Sequence, residues 1–262
     1  MIIPAFSKTY GQKKVLDFPG MELQPGNIYA ILGANGSGKS TFSKILADVL
    51  PADRKIHLES SIGYLPQKPY AFRMSVRKNV LLGGRDIQKA ESLAKALSLT
   101  ELEHKRADRL SGGETARMAM ARLMMGTYDV VILDEPTAGL DVEGRLSLHK
   151  QIRQLKAMGK TIILASHDMA EVENLCDRIA ILSEGKIAFI GTVEQLGETV
   201  GKRYNITIQT ESSTEKYESD NIGETLLSLL TQYKEKEEPI VDIQINRGTL
   251  EQHFMRITKE AQ

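Results

Sequence analysis

The sequence predicts an α/β fold in which helices cover a mainly parallel β-sheet. From residue 27 to about residue 182, short runs of β-branched residues alternate with helical patterns, which is typical of strand–helix–strand units. The chain has 262 residues, of which 41% are hydrophobic, so it can bury a continuous core. Two smaller regions flank the sheet: an antiparallel β layer before about residue 25 and an α+β appendage after residue 200.

Short apolar runs define the strands of the sheet. We place them at 27–32, 62–65, 130–133, 161–165 and 178–182. The last run continues into a hairpin, because Ser183-Glu184-Gly185 is a turn signal between two apolar segments. Near the N-terminus, alternation over residues 14–18 indicates the small antiparallel layer.

A helical insertion and the C-terminal appendage complete the organisation. Between residues 75 and 125 the apolar spacing becomes helical, so we expect a helical subdomain at about 68–126. The appendage is predicted to contain a strand at 204–208, a polar loop at 211–220, a helix near 224–234 and a second strand at 240–245. The predicted domains are therefore 1–200 and 201–262.

Charge and cysteine content narrow the class of function. The 34 Lys and Arg residues balance 34 Asp and Glu residues, so no global field attracts nucleic acid, and we expect no nucleic-acid partner. The single cysteine, Cys176, cannot form an internal disulfide and fits a reducing compartment. The sequence has no secretory signal and no apolar run near the ~20 residues of a membrane helix, which predicts a cytoplasmic chain.

Residues 33–41 read GANGSGKST and match the GxxxxGK[ST] phosphate-binding loop. A predicted strand precedes the match and a helical pattern follows it, which is the context of a P-loop NTPase sheet. Glycines let backbone N–H groups converge on phosphates at the helix start. Lys39 is expected to neutralise phosphate charge, and the Ser40 hydroxyl to ligate Mg²⁺. The predicted nucleotide-binding residues of this phosphate loop are Gly33, Ala34, Asn35, Gly36, Ser37, Gly38, Lys39, Ser40 and Thr41.

Two acids end the apolar run at residues 130–133. A buried strand has little reason to finish in paired carboxylates unless a cation lies beside them. Asp134 is expected to orient the Mg²⁺ shell, and Glu135 to polarise the water that attacks the γ-phosphate.

The segment Leu110-Ser111-Gly112-Gly113-Glu114, which precedes a helical pattern, resembles the signature motif of the ATP-binding cassette (ABC) family. Ser111 lies 23 residues before Asp134. The resemblance implies a head-to-tail pair of ATPase subunits, identical or closely related, in which Ser111, Gly112, Gly113 and Glu114 of one copy close over the ATP held by Lys39 of the other. Glu114 stands where many cassettes have Gln.

Four further residues match the family in order. Tyr10 resembles the aromatic residue that stacks on adenine, and Gln67 the loop glutamine that contacts Mg²⁺ or water. Asp141 lies in a segment similar to the loop that crosses the dimer interface, and His167 resembles the switch histidine at the γ-phosphate. The resemblance thus implies Glu135, His167, Gln67 and Lys39 as catalytic residues, and Ser40, Gln67 and Asp134 as metal ligands.

The family resemblance also implies a membrane permease as a separate subunit, which would hold this chain at the inner face of the cell membrane. The segment after Gln67 is unusually apolar for a loop, with Tyr70 and Phe72 among its residues, so we expect it to form a groove for a short helix of that permease. The four histidines other than His167 show no metal-ligand spacing, and no role is expected of them: His57, His104, His149 and His253.

The ending, residues 249–258, resembles the tail of cassettes that serve bacterial two-component (ABC-2-type) exporters of drugs, peptides or lipids. Export is therefore the favoured direction. An importer ATPase for a small solute such as an oxyanion or an amino acid stays open, as does a soluble cassette ATPase that remodels an assembly. A generic phosphate-loop kinase is disfavoured, because residues 110–114 would then have no role.

Overall fold

Four short strands form an antiparallel layer at the N-terminus of the computed structural model, which describes residues 1–200, 204–247 and 250–260. Strand β1 (Ile2–Ile3) pairs with β4 (Met21–Glu22), and β2 (Phe6–Tyr10) pairs with β3 (Lys13–Phe18). Both pairs are antiparallel, as the alternating sequence predicted.

A six-stranded sheet follows, in the order β10-β9-β5-β8-β7-β6. Strands β5 to β9 are mutually parallel where they pair, and every residue of β5, β7 and β8 is buried. The predicted strands are all present, with bounds that differ by at most one residue. The six strands are β5 (Ile28–Leu32), β6 (Ile62–Leu65), β7 (Val130–Asp134), β8 (Thr161–Ala165), β9 (Arg178–Ser183) and β10 (Lys186–Gly191).

Helix α1 (Lys39–Leu46) packs between the sheet and the N-terminal layer. Its Phe42 ring lies 4.9 Å from the ring of Phe18 and 6.0 Å from that of Phe6, measured between centroids. All three rings are buried, and each such pair stabilises by about 0.5–1.5 kcal/mol beyond its area. This contact fixes the helix whose first turn carries Lys39 and Ser40.

The helical insertion packs against the other face of the sheet. Its helix α4 is amphipathic and buries seven residues, including four methionines that fill this core. Two further helices follow strands β7 and β8 and cover the same face. The helices are α2 (Val76–Leu81), α3 (Ile87–Ala96), α4 (Gly112–Met125), α5 (Val142–Ala157) and α6 (Met169–Leu175), with 3₁₀ turns at Thr100–Leu102 and Ala107–Arg109.

The chain forms two compact units, Met1–Ile190 and Gly191–Gln262. The division lies ten residues before the domain boundary that we predicted at residue 200. The predicted domains 1–200 and 201–262 stay a prediction. The second unit contains a sheet of order β12-β11-β13. Its elements are α7 (Val193–Val200), β11 (Tyr204–Thr210), β12 (Thr214–Ser219), α8 (Ile222–Glu235), β13 (Ile240–Arg247) and α9 (Leu250–Glu260).

One prediction in the second unit is wrong. Residues 214–219, which we expected in a polar loop at 211–220, form the edge strand β12 and pair with β11. The charged residues of this strand face solvent at the sheet edge, where Lys and Glu are tolerated, so the segment lacks an apolar pattern. Thr249 of the exporter-like tail lies outside the described residues. Across the described ranges, none of the helices has the length and apolarity that a membrane crossing requires.

Candidate active site

The sheet delivers its polar side chains to one edge. The phosphate loop follows β5, Gln67 lies two residues after β6, Asp134 ends β7, and His167 lies two residues after β8. Because these four strands are parallel, their carboxyl ends meet at the same edge, where α/β sheets place their ligands.

Glycines set the shape of the phosphate loop. A Cβ atom at Gly33 would lie 2.3 Å from Ser37 Oγ and 2.5 Å from the Leu182 carbonyl oxygen, so no larger residue fits. Gly36 and Gly38 have φ angles of 83° and 109°, a region that favours glycine. A Cβ at Gly36 would meet nothing within 4 Å, which leaves space over the loop.

Lys39 is held inside the phosphate loop. Its Nζ donates to the carbonyl oxygens of Gly33 (2.7 Å) and Ala34 (3.2 Å), and only 6% of the residue is exposed. Burial lowers the pKa of Lys39, and the nearby carboxylates of Glu135 and Asp134 oppose that shift. The buried Lys39 ammonium therefore lies near two carboxylates, those of Asp134 and Glu135, at the end of β7.

Asp134 is almost fully buried and accepts two hydrogen bonds. Its Oδ1 accepts from Ser40 Oγ and its Oδ2 from the Tyr64 hydroxyl, both at 3.3 Å. Burial raises the pKa of Asp134, and these two hydrogen bonds act in the opposite direction. Burial and the adjacent carboxylate also raise the pKa of Tyr64.

Glu135 occupies a strained position between β7 and the next loop. Its φ angle is 52°, in the left-handed region, and its backbone N–H donates to the Ala165 carbonyl oxygen at 2.8 Å. Its Oε2 lies 2.6 Å from Nδ1 of His167. The Glu135 side chain is 10% exposed and that of His167 is 67% exposed, so the pair joins a shielded acid to an open imidazole.

A cleft of about 240 Å³ lies over the phosphate loop. Seven predicted residues besides the glycines line it, and Tyr10 at its rim is half exposed. Asp134 and His167 reach it through their contacts with Ser40 and Glu135. The lining residues are Tyr10, Val15, Asn35, Gly36, Gly38, Lys39, Ser40, Thr41, Gln67 and Glu135.

The signature-like segment lies in a different place. Ser111 caps helix α4: its Oγ accepts from the Glu114 N–H at 3.2 Å, and the Glu114 carboxylate accepts from the Ser111 N–H at 2.6 Å. The Ser111 N–H is the largest cause that lowers the pKa of Glu114, and Lys105, whose Nζ lies 3.5 Å away, adds to it.

A second cleft, of about 290 Å³, adjoins the start of α4. Gly112, Ala138 and Gly139 line it together with Gln67 and Glu135, which line the first cleft as well. Asp141, two residues after Gly139, caps helix α5 by accepting a hydrogen bond from the Gly144 N–H at 2.8 Å. Of the predicted site residues, ten do not line the cleft over the phosphate loop. Gly33, Ala34 and Ser37 belong to the loop itself, and Asp134 and His167 contact lining residues. The other five are Ser111, Gly112, Gly113, Glu114 and Asp141.

Comparison with known proteins identifies the family. The family model described as ABC transporter matches residues 16–138, which contain the phosphate loop, the signature-like segment and both strand-end acids. An ABC transporter ATP-binding protein of Methanocaldococcus jannaschii, itself uncharacterised, is 35% identical over 200 residues, covering 72% of this chain and 76% of that protein. The chain belongs to the ABC transporter family.

A second ABC relative agrees with this assignment, and a solved structure agrees with the fold. The Nod factor export ATP-binding protein I of Burkholderia lata is 35% identical over 201 residues, which span 68% of this chain and 66% of that protein. A solved ATP-binding subunit of an ABC transporter matches the fold with a TM-score of 0.68 at 23% identity, over 74% of this chain and 90% of the other. As an ABC ATP-binding subunit, the chain is an ATPase, as the resemblance implied.

Two side chains of this ABC site were not predicted. Tyr64 contacts Asp134 from the neighbouring strand β6, and Val15 lines the cleft from β3. Tyr64 could have been singled out only by knowing that β6 and β7 are neighbours, which the order of motifs along the chain does not say. Val15 lies in a strand whose alternation is visible in the sequence. The sequence does not show, however, that the Val15 side of the strand faces the cleft.

Proposed function

We propose that this ABC ATPase subunit drives export through a separate membrane permease, as one member of a head-to-tail pair of cassettes. The observation that carries the pairing is the separation of its two helix starts. The phosphate loop and Lys39 open onto one cleft, whereas Ser111 caps a helix beside another. A second cassette would bring its own Ser111 segment to this Lys39.

ATP would lie along the first cleft, with its adenine on Tyr10 and its phosphates over the amides of the phosphate loop. The Lys39 ammonium, 2.7 Å from the Gly33 carbonyl oxygen, is already at the loop. The phosphates would add negative charge beside the Lys39 ammonium, beyond that of the nearby Glu135 and Asp134 carboxylates.

The oxygen ligands beside Lys39 fit a magnesium ion. Ser40 Oγ lies 3.3 Å from Asp134 Oδ1, and Gln67 lines the same cleft, so a hydroxyl, a carboxylate and an amide oxygen are available. In the described part of the chain, no three His, Cys, Asp or Glu side chains form a metal-binding group, so the ion would depend on the phosphates for further ligands. When bound, Mg²⁺ would neutralise charge on the phosphate oxygens.

Glu135 and His167 would act on the water. The Glu135 carboxylate is placed at the strand end to accept a proton from the attacking water. His167, with Nδ1 at 2.6 Å from Glu135 Oε2, would orient that carboxylate. Because a general base contributes about 10²–10⁴-fold, loss of Glu135 should leave binding but little turnover.

The permease would dock beside the Gln67 loop. Tyr70 and Phe72 are 64% and 41% exposed and meet edge to face at 4.8 Å between centroids. The Arg122 guanidinium of α4 lies 5.4 Å from the Phe72 ring and donates to the Tyr70 carbonyl oxygen at 2.9 Å. Through Arg122, docking on this patch would therefore act on helix α4, which begins directly after Ser111.

The proposed direction of transport, export, is argued from similar sequences and from the ending of the chain. Two kinds of evidence favour it: the Nod factor export ATP-binding proteins among the similar sequences, and the exporter-like ending of the chain. We propose a drug, a peptide or a lipid as the exported class. A small-solute importer and a soluble cassette ATPase are the alternatives.

Two experiments test the proposal. The Glu135→Gln variant should form an ATP-held pair in size-exclusion chromatography with light scattering, and Lys39→Ala in the same background should stay single. Affinity purification of the tagged chain from detergent-solubilised membranes should recover a multi-span permease. Recovery with a solute-binding protein would reverse the direction, and recovery from the soluble fraction alone would favour the cassette ATPase without a membrane partner.

A further inference from the structure

Glu171 on helix α6 is a buried charged residue that the proposed hydrolysis does not use. It is 3% exposed, and both of its carboxylate oxygens have partners. Oε2 accepts from Ser166 Oγ at 2.7 Å, and Oε1 lies 3.1 Å from Nε2 of His149 on helix α5. Burying a carboxylate is costly, and an apolar residue of similar volume would often pack at least as well, so its presence calls for a reason.

Ser166 connects Glu171 to the loop that carries His167. The Ser166 hydroxyl donates to Glu171 and accepts from the Asp168 N–H at 3.1 Å, so it spans the backbone on both sides of His167. Asp168 in turn accepts from the Glu171 N–H at 3.0 Å. The backbone at residue 167 is therefore flanked by hydrogen bonds that link Ser166, Asp168 and Glu171.

Helix α5 supports the same loop from the outside. His149 reaches Glu171, and Arg145, one turn earlier on the helix, lies 3.3 Å from the Asp168 carboxylate. Residues four apart share a helix face, so both contacts come from one side of α5. Helix α5 begins directly after its cap Asp141, which lies two residues beyond Gly139 of the second cleft.

We propose that Glu171 and His149 are positioning residues for ATP hydrolysis, which act through Ser166 to hold His167 against Glu135. The inference rests on the proposed role of His167. The side chain of His167 is 67% exposed, so its placement depends on the backbone of its loop rather than on enclosing side chains. Displacement by about 1 Å at such a contact can lower a rate about 10²-fold.

The first test compares isosteric substitutions with matched controls. Glu171→Gln and His149→Gln should each lower the kcat of ATP hydrolysis by about tenfold or more, with KM for ATP within about twofold of the wild type. Glu173→Gln on the exposed side of the same helix, and the exposed His104→Gln, should leave both constants unchanged. An increase in KM with unchanged kcat would contradict a positioning role.

The second test asks whether the effect passes through His167. Single-turnover hydrolysis of radiolabelled ATP, followed for hours, measures the residual rates of His167→Ala with and without Glu171→Gln. If Glu171 acts through His167, its substitution has no further effect in the His167→Ala background. An equal fold-loss in both backgrounds would overturn the inference.

The role of His167 in hydrolysis and the positioning role of Glu171 can be contradicted by different results. If His167→Ala hydrolyses ATP at the wild-type rate, the role of His167 in the proposed function is wrong. If that variant is slow but Glu171→Gln acts independently of it, only the positioning inference is wrong. Should Glu171→Gln fail to fold, Ser166→Ala carries the same test, because it removes one hydroxyl and leaves Glu171 with His149.

Discussion

Nδ1 of His167 lies 2.6 Å from Oε2 of Glu135, although 31 residues separate the two along the chain. The contact joins the ends of neighbouring parallel strands β7 and β8, and the Glu135 N–H is tied to the Ala165 carbonyl oxygen beside it. The positive φ of Glu135 turns its side chain out of the strand direction at this point. The strained backbone and the histidine contact thus aim one carboxylate at the cleft over the phosphate loop.

Replacing Glu135 by Gln should separate binding from turnover. The variant keeps the volume and one acceptor but loses the base, so kcat should fall about 10²–10⁴-fold while ATP affinity is retained. Steady-state hydrolysis and binding of a fluorescent ATP analogue check the two constants. Glu143→Gln, an exposed acid on α5, is the control and should hydrolyse normally.

Replacing Gly33 by Ala should destroy the phosphate loop. The new methyl group would lie 2.5 Å from the Leu182 carbonyl oxygen, a backbone atom that cannot rotate away. Overpacking costs about 1–3 kcal/mol, so thermal unfolding should shift down and ATP should give little stabilisation. Gly223→Ala in helix α8 has ordinary space around it and is the matched control. A normal ATP-induced shift for Gly33→Ala would show that the loop tolerates rearrangement.

Replacing Asp134 by Asn should stabilise the nucleotide-free protein and abolish its response to magnesium. Burial raises the folded-state pKa of Asp134 above its unfolded value, so its contribution to stability is largest below the unfolded pKa and is lost as pH rises through the folded pKa. At pH 7 the neutral amide should therefore raise the melting temperature of the nucleotide-free protein. A lower melting temperature would mean that the hydrogen bonds from Ser40 and Tyr64 outweigh the burial of charge.

Glu114 should give the start of helix α4 an acid-sensitive stability. Its pKa is lowered in the folded state, so its stabilising contribution is present above the unfolded pKa and is lost as pH falls through the folded pKa. Glu114→Gln can still form the capping box but carries no charge, so it should melt below the wild type near pH 7 and approach the wild type toward pH 3, with a smaller fall in melting temperature between them. Ser111→Ala should lose about 1 kcal/mol at either pH, because it removes the cap itself. Equal acid sensitivity of the wild type and Glu114→Gln would contradict this assignment.

Replacing Phe72 by Asp should uncouple the ATPase from its permease. The substitution places a charge in the exposed apolar patch with Tyr70, and the phosphate loop is not in contact with it. Transport in a reconstituted complex should be lost, while ATP binding by the isolated subunit is unchanged. Ile87→Asp, at a comparably exposed apolar position on α3, should transport normally. Equal loss of transport and ATP binding would point to misfolding instead.

The sequence was sufficient to predict the sheet and the residues gathered at its edge. Asp134 and Ser40 could be placed together because Asp134 ends one buried parallel strand and Ser40 follows the loop after another. The carboxyl ends of such strands share one edge. Local signals also identified the hairpin of β9 and β10, where Glu184 and Gly185 both have positive φ.

Contacts that depend on the lateral order of elements could not be predicted. Tyr64 meets Asp134 only because β6 lies beside β7, and His149 was given no role because its partner Glu171 comes from a different helix. The edge strand β12 was missed for another reason: its residues are mostly polar on both faces, so their period gives no signal.

The central claim is that one chain supplies half of each of two ATP sites, and mixing two inactive variants tests it most directly. Lys39→Ala lacks the phosphate-loop cation and Ser111→Arg blocks the helix start, so neither should hydrolyse ATP alone. In a head-to-tail mixed pair, Lys39 of one copy meets Ser111 of the other, and one intact site is restored. Recovered ATPase activity on mixing is the predicted result; a mixture that stays inactive, with both variants folded and the wild type active, would contradict it.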